Sequence, residues 1–196
     1  MMRYLGSKTL LLEEIAEIIK EYNCNGVFCD PFGGIGTVGS YMKKLGFSVI
    51  TGDILNFAHY FQIALIENND KECFEKLRTF LKLQTYDDLE KYLSQLERKE
   101  GWLIKEYAEK RQFFTIENAC HIQGCIDSIM KWQEDEVISK KEYAILIASL
   151  IQSFDNVANT AGTYYAYLKE YYRKAKKPFK FKILPVTVGK KIANRI

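Results

Sequence analysis

The sequence lacks a long apolar run, a signal-peptide core and any Cys-x-x-Cys pair. No run of about 18 apolar residues exists, which argues against a membrane-spanning helix. The N-terminal residues do not resemble a secretory signal, so we expect a cytoplasmic protein. The cysteines are odd in number and scattered, and we predict reduced, mostly buried thiols at 24, 29, 73, 120 and 125.

A metal site is also not predicted. The nearest approach to one is Cys120, His121 and Cys125, which fall in a helical pattern. Residues three or four apart share a helix face, so His121 and Cys125 pair while Cys120 points elsewhere. Two ligands leave a tetrahedral zinc site incomplete.

Length and charge favour one domain, or one domain with an insertion, and a polyanionic partner. The 196 residues are 47% apolar and 27% charged, as in globular proteins. The net charge is only +3, but residues 169–196 contain ten Lys or Arg and a single acid, Glu170. A basic segment of this kind is typical of proteins that bind nucleic acid.

The most informative stretch is Asp30-Pro31-Phe32-Gly33-Gly34-Ile35-Gly36. It follows a short apolar run at 27–29 and leads into a helical pattern, which is the form of a strand, a ligand-binding turn and a helix N-terminus. A helix is predicted at 7–22, and a second strand at 47–52 ends before Asp53. This order predicts the opening of a parallel α/β sheet.

The remainder of the chain changes character. Residues 55–168 contain no proline and show six helical segments, at 56–69, 71–83, 86–99, 102–112, 116–133 and 140–154. Residues 179–184 alternate as a strand does. We therefore predict an α/β core at 1–55, a helical target-recognition insertion at 56–178, and a return to the core sheet, truncated, at 179–196.

Two cofactors fit the glycine-rich turn. Gly34-Ile35-Gly36-Thr37-Val38-Gly39 is a Gly-x-Gly-x-x-Gly pattern with Asp53 further on, as in NAD-binding Rossmann proteins. Asp30, however, precedes the turn where a dinucleotide would place its pyrophosphate. A cofactor with an amine and a ribose but no phosphate suits this acid better, and S-adenosylmethionine has both groups. A purely structural turn also stays open.

Three motifs resemble those of the alpha-group (Dam-like) adenine-N6-specific DNA methyltransferases. Tyr4-Leu5-Gly6-Ser7-Lys8 is similar to the opening motif of that family, and Asp30–Gly36 to its first cofactor motif. Asp53 matches its second-strand acid. The resemblance implies a Rossmann-like S-adenosylmethionine-dependent methyltransferase core with a large helical insertion, acting on duplex DNA in a restriction-modification system.

The resemblance also implies eight cofactor-binding residues: Tyr4, Gly6, Lys8, Asp30, Phe32, Gly34, Gly36 and Asp53. The first three would border the methionine end of the cofactor and the next four would form the floor of its pocket. The last would hold the ribose hydroxyls, since a carboxylate accepts two such bonds.

One family motif is missing. The family positions its target adenine with an (Asp/Asn)-Pro-Pro-(Tyr/Phe) turn, but no two of Pro31, Pro178 and Pro185 are adjacent. In the family this turn would come after the strand at 179–184, so the core is expected to be incomplete and no catalytic residue is predicted. A second polypeptide carrying the turn is one expectation. A non-catalytic S-adenosylmethionine- and DNA-binding fragment is the alternative.

The basic, tyrosine-rich stretch at 164–182 is the predicted DNA-contacting surface. Cations there would contact phosphates and aromatics would lie near bases. A solvated helix with its tyrosines packed inward is the other interpretation. The predicted nucleic-acid-binding residues are Lys169, Arg173, Lys174, Lys176 and Lys177.

Overall fold

A computed structural model describes residues 6–70, 73–162, 164 and 166–189. They form two compact units. The core unit consists of the described parts of Tyr4–Cys73 and Leu184–Ile196, and the helical unit is Phe74–Ile183. The sequence predicts divisions after residues 55 and 178, whereas the units divide after residues 73 and 183.

The core unit is a mixed α/β structure with a small parallel sheet. Helix α1 (Leu12–Glu21) precedes strand β1 (Val27–Asp30). Helix α2 (Thr37–Lys44) leads to strand β2 (Ser48–Thr51), and helix α3 (Asn56–Gln62) follows and continues into a π-helical turn. The helix–strand–helix–strand order predicted from the sequence is confirmed.

The register of the sheet brings two acids to the same edge. Val27 lies opposite Ser48 and Asp30 opposite Thr51 in a parallel pair. Asp30 therefore ends β1, and Asp53 comes two residues after the end of β2. The carboxyl edge of a parallel sheet is where α/β proteins bind their ligands.

Three glycines allow the turn between β1 and α2, and α2 itself, to pack closely. Gly36 is the N-cap of α2 with a φ of 75°, a left-handed conformation that glycine adopts readily. A Cβ on Gly33 would lie 2.2 Å from Thr51 Oγ1, and one on Gly39 would lie 2.6 Å from Ile66 Cδ1. Larger residues at 33 and 39 would force these elements apart.

Hydrogen bonds fix the path of this glycine turn. The Gly33 N–H donates to the Gly52 carbonyl over 2.9 Å, and the Gly52 N–H donates to the Asp30 carbonyl over 3.1 Å. Gln62 is fully buried, and its Nε2 donates to the Gly34 carbonyl over 2.9 Å. The turn is thus held by both β2 and α3.

The described residues of the helical unit include helices α4 (Glu75–Phe80), α5 (Tyr86–Gln95), α6 (Trp102–Ile104), α7 (Ile116–Glu134) and α8 (Lys140–Asp155). They correspond to five of the six predicted helical segments, and α3 corresponds to the remaining one. Capping boxes begin α5 and α8, each with a hydroxyl and a carboxylate that satisfy backbone N–H groups at the helix start. Across the described residues, no helix is both long enough and apolar enough to span a membrane.

The predicted strand at 179–184 is wrong, although the segment is extended. Phe179 and Phe181 are buried, whereas Lys180 and Lys182 are exposed, so the alternation was interpreted correctly. No strand lies beside the segment among the described residues. The N–H groups of residues 179, 181 and 182 donate instead to helix side chains, over 2.8 to 2.9 Å. The acceptor atoms, in that order, are Asn118 Oδ1, Ser94 Oγ and Ser153 Oγ.

Asn159 joins the loop after α8 to two other segments. The side chain is fully buried, and its Nδ2 donates to the carbonyls of Gln112 and Leu168, each over 2.9 Å. Its Oδ1 accepts the Tyr172 N–H over 3.0 Å. Its own N–H donates to the Phe113 carbonyl over 2.7 Å. The side-chain amide of Asn159 therefore supplies hydrogen-bond partners to three backbone groups that lie outside helices and strands.

Asn159→Ala tests this role. The substitution leaves buried backbone groups without partners, at a cost of about 1–3 kcal/mol for each. We expect the free energy of unfolding, measured by urea titration, to fall by at least that amount. Asn156→Ala is the matched control, because Asn156 is exposed, and it should change stability by no more than about 0.5 kcal/mol. Equal effects of the two variants would contradict the role of Asn159.

The packing of the glycine turn is tested by a double-mutant cycle. Gly33→Ala should destabilise the protein by about 1–3 kcal/mol, because its Cβ meets Thr51 Oγ1. Thr51→Ala should recover most of this loss in the double variant, giving a favourable coupling of about 1–2 kcal/mol in urea unfolding. Gly52→Ala is the control, since its Cβ would meet only the Pro31 carbonyl at 3.8 Å. Strictly additive effects would show that the two sites do not touch.

Candidate functional site

A cavity of about 460 Å³ opens at the carboxyl end of β1. Its lining comes from the loop before α1, from α1 itself, from strand β1, from the glycine turn and from the first turn of α2. Five of the eight cofactor-binding residues predicted from the sequence lie in this lining: Gly6, Lys8, Asp30, Phe32 and Gly34. Residues from two separate motifs therefore meet at one site.

The other three predicted residues are placed differently. Gly36 caps α2 behind the turn and is not in the cavity lining. Asp53 is bonded to the turn from the side of β2, as given below. Tyr4 lies outside the described residues.

Asp30 offers a carboxylate to the cavity. The side chain is half-buried, and its Oδ1 accepts the Phe32 N–H over 3.2 Å. No ion pair involves Asp30 among the described parts of the chain. A carboxylate has about four lone-pair sites, so this one can accept further bonds from a cationic group in the cavity.

Asp53 holds the turn from the other strand. Its Oδ2 accepts the Gly34 N–H over 2.9 Å, and its Oδ1 accepts the Leu55 N–H over 3.0 Å. Each oxygen keeps lone-pair capacity for a hydroxyl donor. The geometry thus gives Asp53 a positioning role in addition to the ribose contact that the resemblance implies.

Lys8 and Gly6 form a small closed loop at the cavity. Gly6 has a φ of 86°, and the Lys8 ammonium donates to the Gly6 carbonyl over 3.0 Å. An ammonium group has three donors, so two remain for an anionic ligand group. Lys8 is exposed, which keeps this charge hydrated at the mouth of the cavity.

Several lining residues were not predicted. Ile15, Phe28 and Val38 supply an apolar wall, and Cys29 supplies an exposed thiol. An apolar residue of the core and an apolar residue of a cavity wall look alike in the sequence, which is why these residues were not predicted.

Two buried polar groups beneath the turn were also missed. Thr51 Oγ1 and Gln62 Oε1 are inaccessible to solvent and have no hydrogen-bond partner among the described residues. A buried polar group without a hydrogen-bond partner is unfavourable, so both side chains lower the stability of the folded protein. In the sequence, the sign of such a buried polar group was Gln62, which stands between Phe61 and Ile63 in a predicted helix.

The predicted nucleic-acid-binding residues differ in environment. Lys174 Nζ lies 3.8 Å from Asp155 Oδ2, and both side chains are largely buried. The other four are exposed: Lys169, Arg173, Lys176 and Lys177. The alternative of a solvated helix is wrong for the described residues, because none of those between 164 and 182 is helical.

The tyrosines of this segment do point inward in part. The Tyr171 hydroxyl donates to the Phe114 carbonyl over 3.0 Å, and the Tyr164 hydroxyl donates to Asp155 Oδ1 over 3.2 Å. Tyr172, by contrast, is 62% exposed. The segment therefore packs inward through some of its aromatic residues, and most of its cations are exposed.

His121 and Cys125 are bonded to the backbone of the helical unit. His121 Nδ1 lies 2.8 Å from the Leu96 carbonyl, and the Cys125 thiol donates to the Leu93 carbonyl over 3.0 Å. Burial raises the pKa of the Cys125 thiol to about 12, so the group is a neutral thiol at physiological pH. No cluster of three metal-ligating side chains is found in the portion of the chain that is described.

Comparison with known proteins agrees with the motifs. The model of the family "D12 class N6 adenine-specific DNA methyltransferase" matches residues 4–191. Modification methylase LlaI of Lactococcus lactis subsp. lactis is 36% identical over 191 residues, which is 94% of this chain and 30% of that protein. Type II methyltransferase M.FokI of Planomicrobium okeanokoites is 33% identical over 191 residues, 94% of this chain and 29% of its own.

A shorter relative gives the same result. Type II methyltransferase M.NlaIII of Neisseria lactamica is 34% identical over 185 residues, 90% of this chain and 52% of that protein. The chain thus spans between 29% and 52% of the length of these relatives. No solved structure matches it significantly. The chain belongs to the family of D12 class N6 adenine-specific DNA methyltransferases.

Proposed function

We propose that this chain supplies the cofactor-binding and DNA-contacting parts of a site-specific DNA adenine-N6 methyltransferase that uses S-adenosylmethionine. The observation that supports the proposal is the cavity at the end of β1, because the half-buried carboxylate of Asp30 belongs to its lining. Relatives of this chain, M.FokI and M.NlaIII among them, are named as type II methyltransferases. We accordingly propose a role in a restriction-modification system.

The lining of the cavity fits S-adenosylmethionine. Asp30 would pair with the ammonium of the methionine part, and Lys8 would pair with its carboxylate. Phe32 and the apolar wall would pack against the adenine. Asp53 is not in the lining but is bonded to the turn that borders the cavity, and it would accept bonds from the ribose hydroxyls. A volume of about 460 Å³ is in the range of small-molecule sites. When bound, the cofactor supplies a methyl group activated on a sulfonium.

NAD suits the same cavity less well. The glycine pattern is shared by both cofactor classes, but Asp30 places a negative charge at the turn that would face a pyrophosphate. Lys8 is the cation of the lining, and it already donates one bond to the carbonyl of Gly6 in its own loop. Charge therefore favours a cofactor with an amine over one with two phosphates.

The core unit is proposed to be part of a Rossmann-like methyltransferase core, with the helical unit as its insertion. Among the described residues β1 pairs on one side with β2, and Val27 is 63% exposed. Parallel sheets are normally covered on both faces and extended by further strands. The Pro-Pro turn is absent from these 196 residues, so methyl transfer requires a segment that carries it, on a longer chain or on a second polypeptide.

For DNA, we propose that the exposed cations of the basic segment contact phosphates. Lys169, Arg173, Lys176 and Lys177 meet this requirement, and Lys174 does so less well because it is paired with Asp155. Such contacts are independent of base sequence and weaken as salt rises.

Differential alkylation of two cysteines tests the cofactor site. Cys29 and Cys24 are both exposed, but only Cys29 lines the cavity. We expect saturating S-adenosylhomocysteine to slow iodoacetamide modification of Cys29, measured by peptide mass spectrometry, and to leave Cys24 unchanged. Cys125 should stay unmodified throughout and reports that the protein is folded, because its thiol is buried and neutral.

Asp30→Asn is the matched variant for this experiment. Loss of a charge-assisted hydrogen bond costs about 1.5–3 kcal/mol, so protection of Cys29 should require at least tenfold more S-adenosylhomocysteine. Identical alkylation of Cys29 with and without ligand in the parent protein would rule out this cavity as the cofactor site.

A further inference from the structure

A recess of about 290 Å³ in the helical unit is lined mainly by aromatic rings. Its residues come from two parts of the sequence that are about 50 positions apart. They are Tyr107, Arg111, Phe113, Tyr164, Ala166 and Tyr167. None of them is a carboxylate, and a recess of this composition suits a planar, apolar group.

The rings form a fixed platform. Phe113 is buried at the centre, and its ring centroid lies 5.4 Å from Tyr107, 5.3 Å from Tyr167 and 6.3 Å from Tyr164. Tyr164 and Tyr167 are each 38% exposed. Two tyrosines therefore rest on a buried ring and still present surface to solvent.

The tyrosines are held in place by other contacts. The Tyr164 hydroxyl donates to Asp155, and burial together with that carboxylate raises the pKa of Tyr164, so the hydroxyl remains a donor. The backbone of Tyr167 pairs with Thr160 in an antiparallel bridge. A site whose side chains are already ordered loses little entropy on binding.

Arg111 adds a second flat surface. Its Cζ lies 4.4 Å from the centroid of the Tyr107 ring. Its Nε donates to the Glu106 carbonyl over 2.8 Å, and its Nη2 lies 3.5 Å from Glu106 Oε2. Guanidinium planes and aromatic rings are the groups on which proteins stack unpaired bases.

We propose that this recess receives a nucleobase displaced from the stack of bound DNA, with the ring of Tyr167 as its main stacking surface. The inference rests on the proposed DNA-binding function. Lys169 and Arg173 follow Tyr167 by two and six residues and are exposed, so cations for the flanking phosphates lie in the same segment. Recognition of a displaced base by aromatic stacking is a general feature of enzymes that modify bases.

The test compares two single-stranded oligonucleotides with equal numbers of phosphates. One carries bases, the other carries abasic sugars, and binding to the full chain is measured by fluorescence anisotropy at one fixed salt concentration. Single strands supply bases that are already unstacked. We expect Tyr167→Ala to weaken binding of the base-bearing strand by about fivefold or more and to leave the abasic strand unchanged. Tyr167→Phe should bind like the parent.

Two further variants separate stacking from structural damage. Phe80→Ala removes an exposed aromatic ring of α4 that lies outside both the recess and the basic segment, and it should leave both affinities unchanged. Ala166→Leu keeps every ring and adds an aliphatic side chain to the lining of the recess, and it should weaken only the base-bearing strand. If Tyr167→Ala weakened the binding of both strands equally, or of neither, the recess would not be a base-binding site, and the proposal of DNA binding would still stand. Binding of neither strand by the parent would overturn the DNA-binding proposal itself.

Discussion

The core unit depends on the hydrogen bonds that tie the glycine turn to the end of β2. Asp53 accepts the Gly34 N–H over 2.9 Å, and the Gly33 N–H donates to the Gly52 carbonyl at the same distance. Each bond joins residues that are 19 positions apart in the sequence. They also determine where Asp30 faces the cavity, because the turn begins at that residue. An acid that the motif assigns to ligand binding therefore also shapes the site.

In the helical unit, buried amides and hydroxyls replace a sheet as partners of an extended chain. Asn118 and Asn159 each accept an N–H and donate to two carbonyls of other segments. Buried backbone groups need such partners, and helices cannot offer their own backbone. The irregular segment after α8 is thereby held without regular structure, and this leaves most of its cations exposed.

The local parts of this structure could be predicted and the non-local parts could not. The strand, the glycine turn and α2 follow from neighbouring residues, since glycine spacing and apolar period report on short-range geometry. The extended segment at 179–184 was recognised by its alternation, but a period of two does not reveal whether a strand or helix side chains lie beside it. The apolar wall of the cavity and the aromatic recess combine residues that are distant in sequence, and their patterns are those of ordinary core residues.

The proposed binding of S-adenosylmethionine in the cavity at the end of β1 is decided by calorimetric titration of this 196-residue chain with S-adenosylmethionine and, separately, with NAD. We expect saturable binding of S-adenosylmethionine at one site per chain and no measurable binding of NAD. Binding of NAD alone, or of neither compound, would show that the cavity is not an S-adenosylmethionine site.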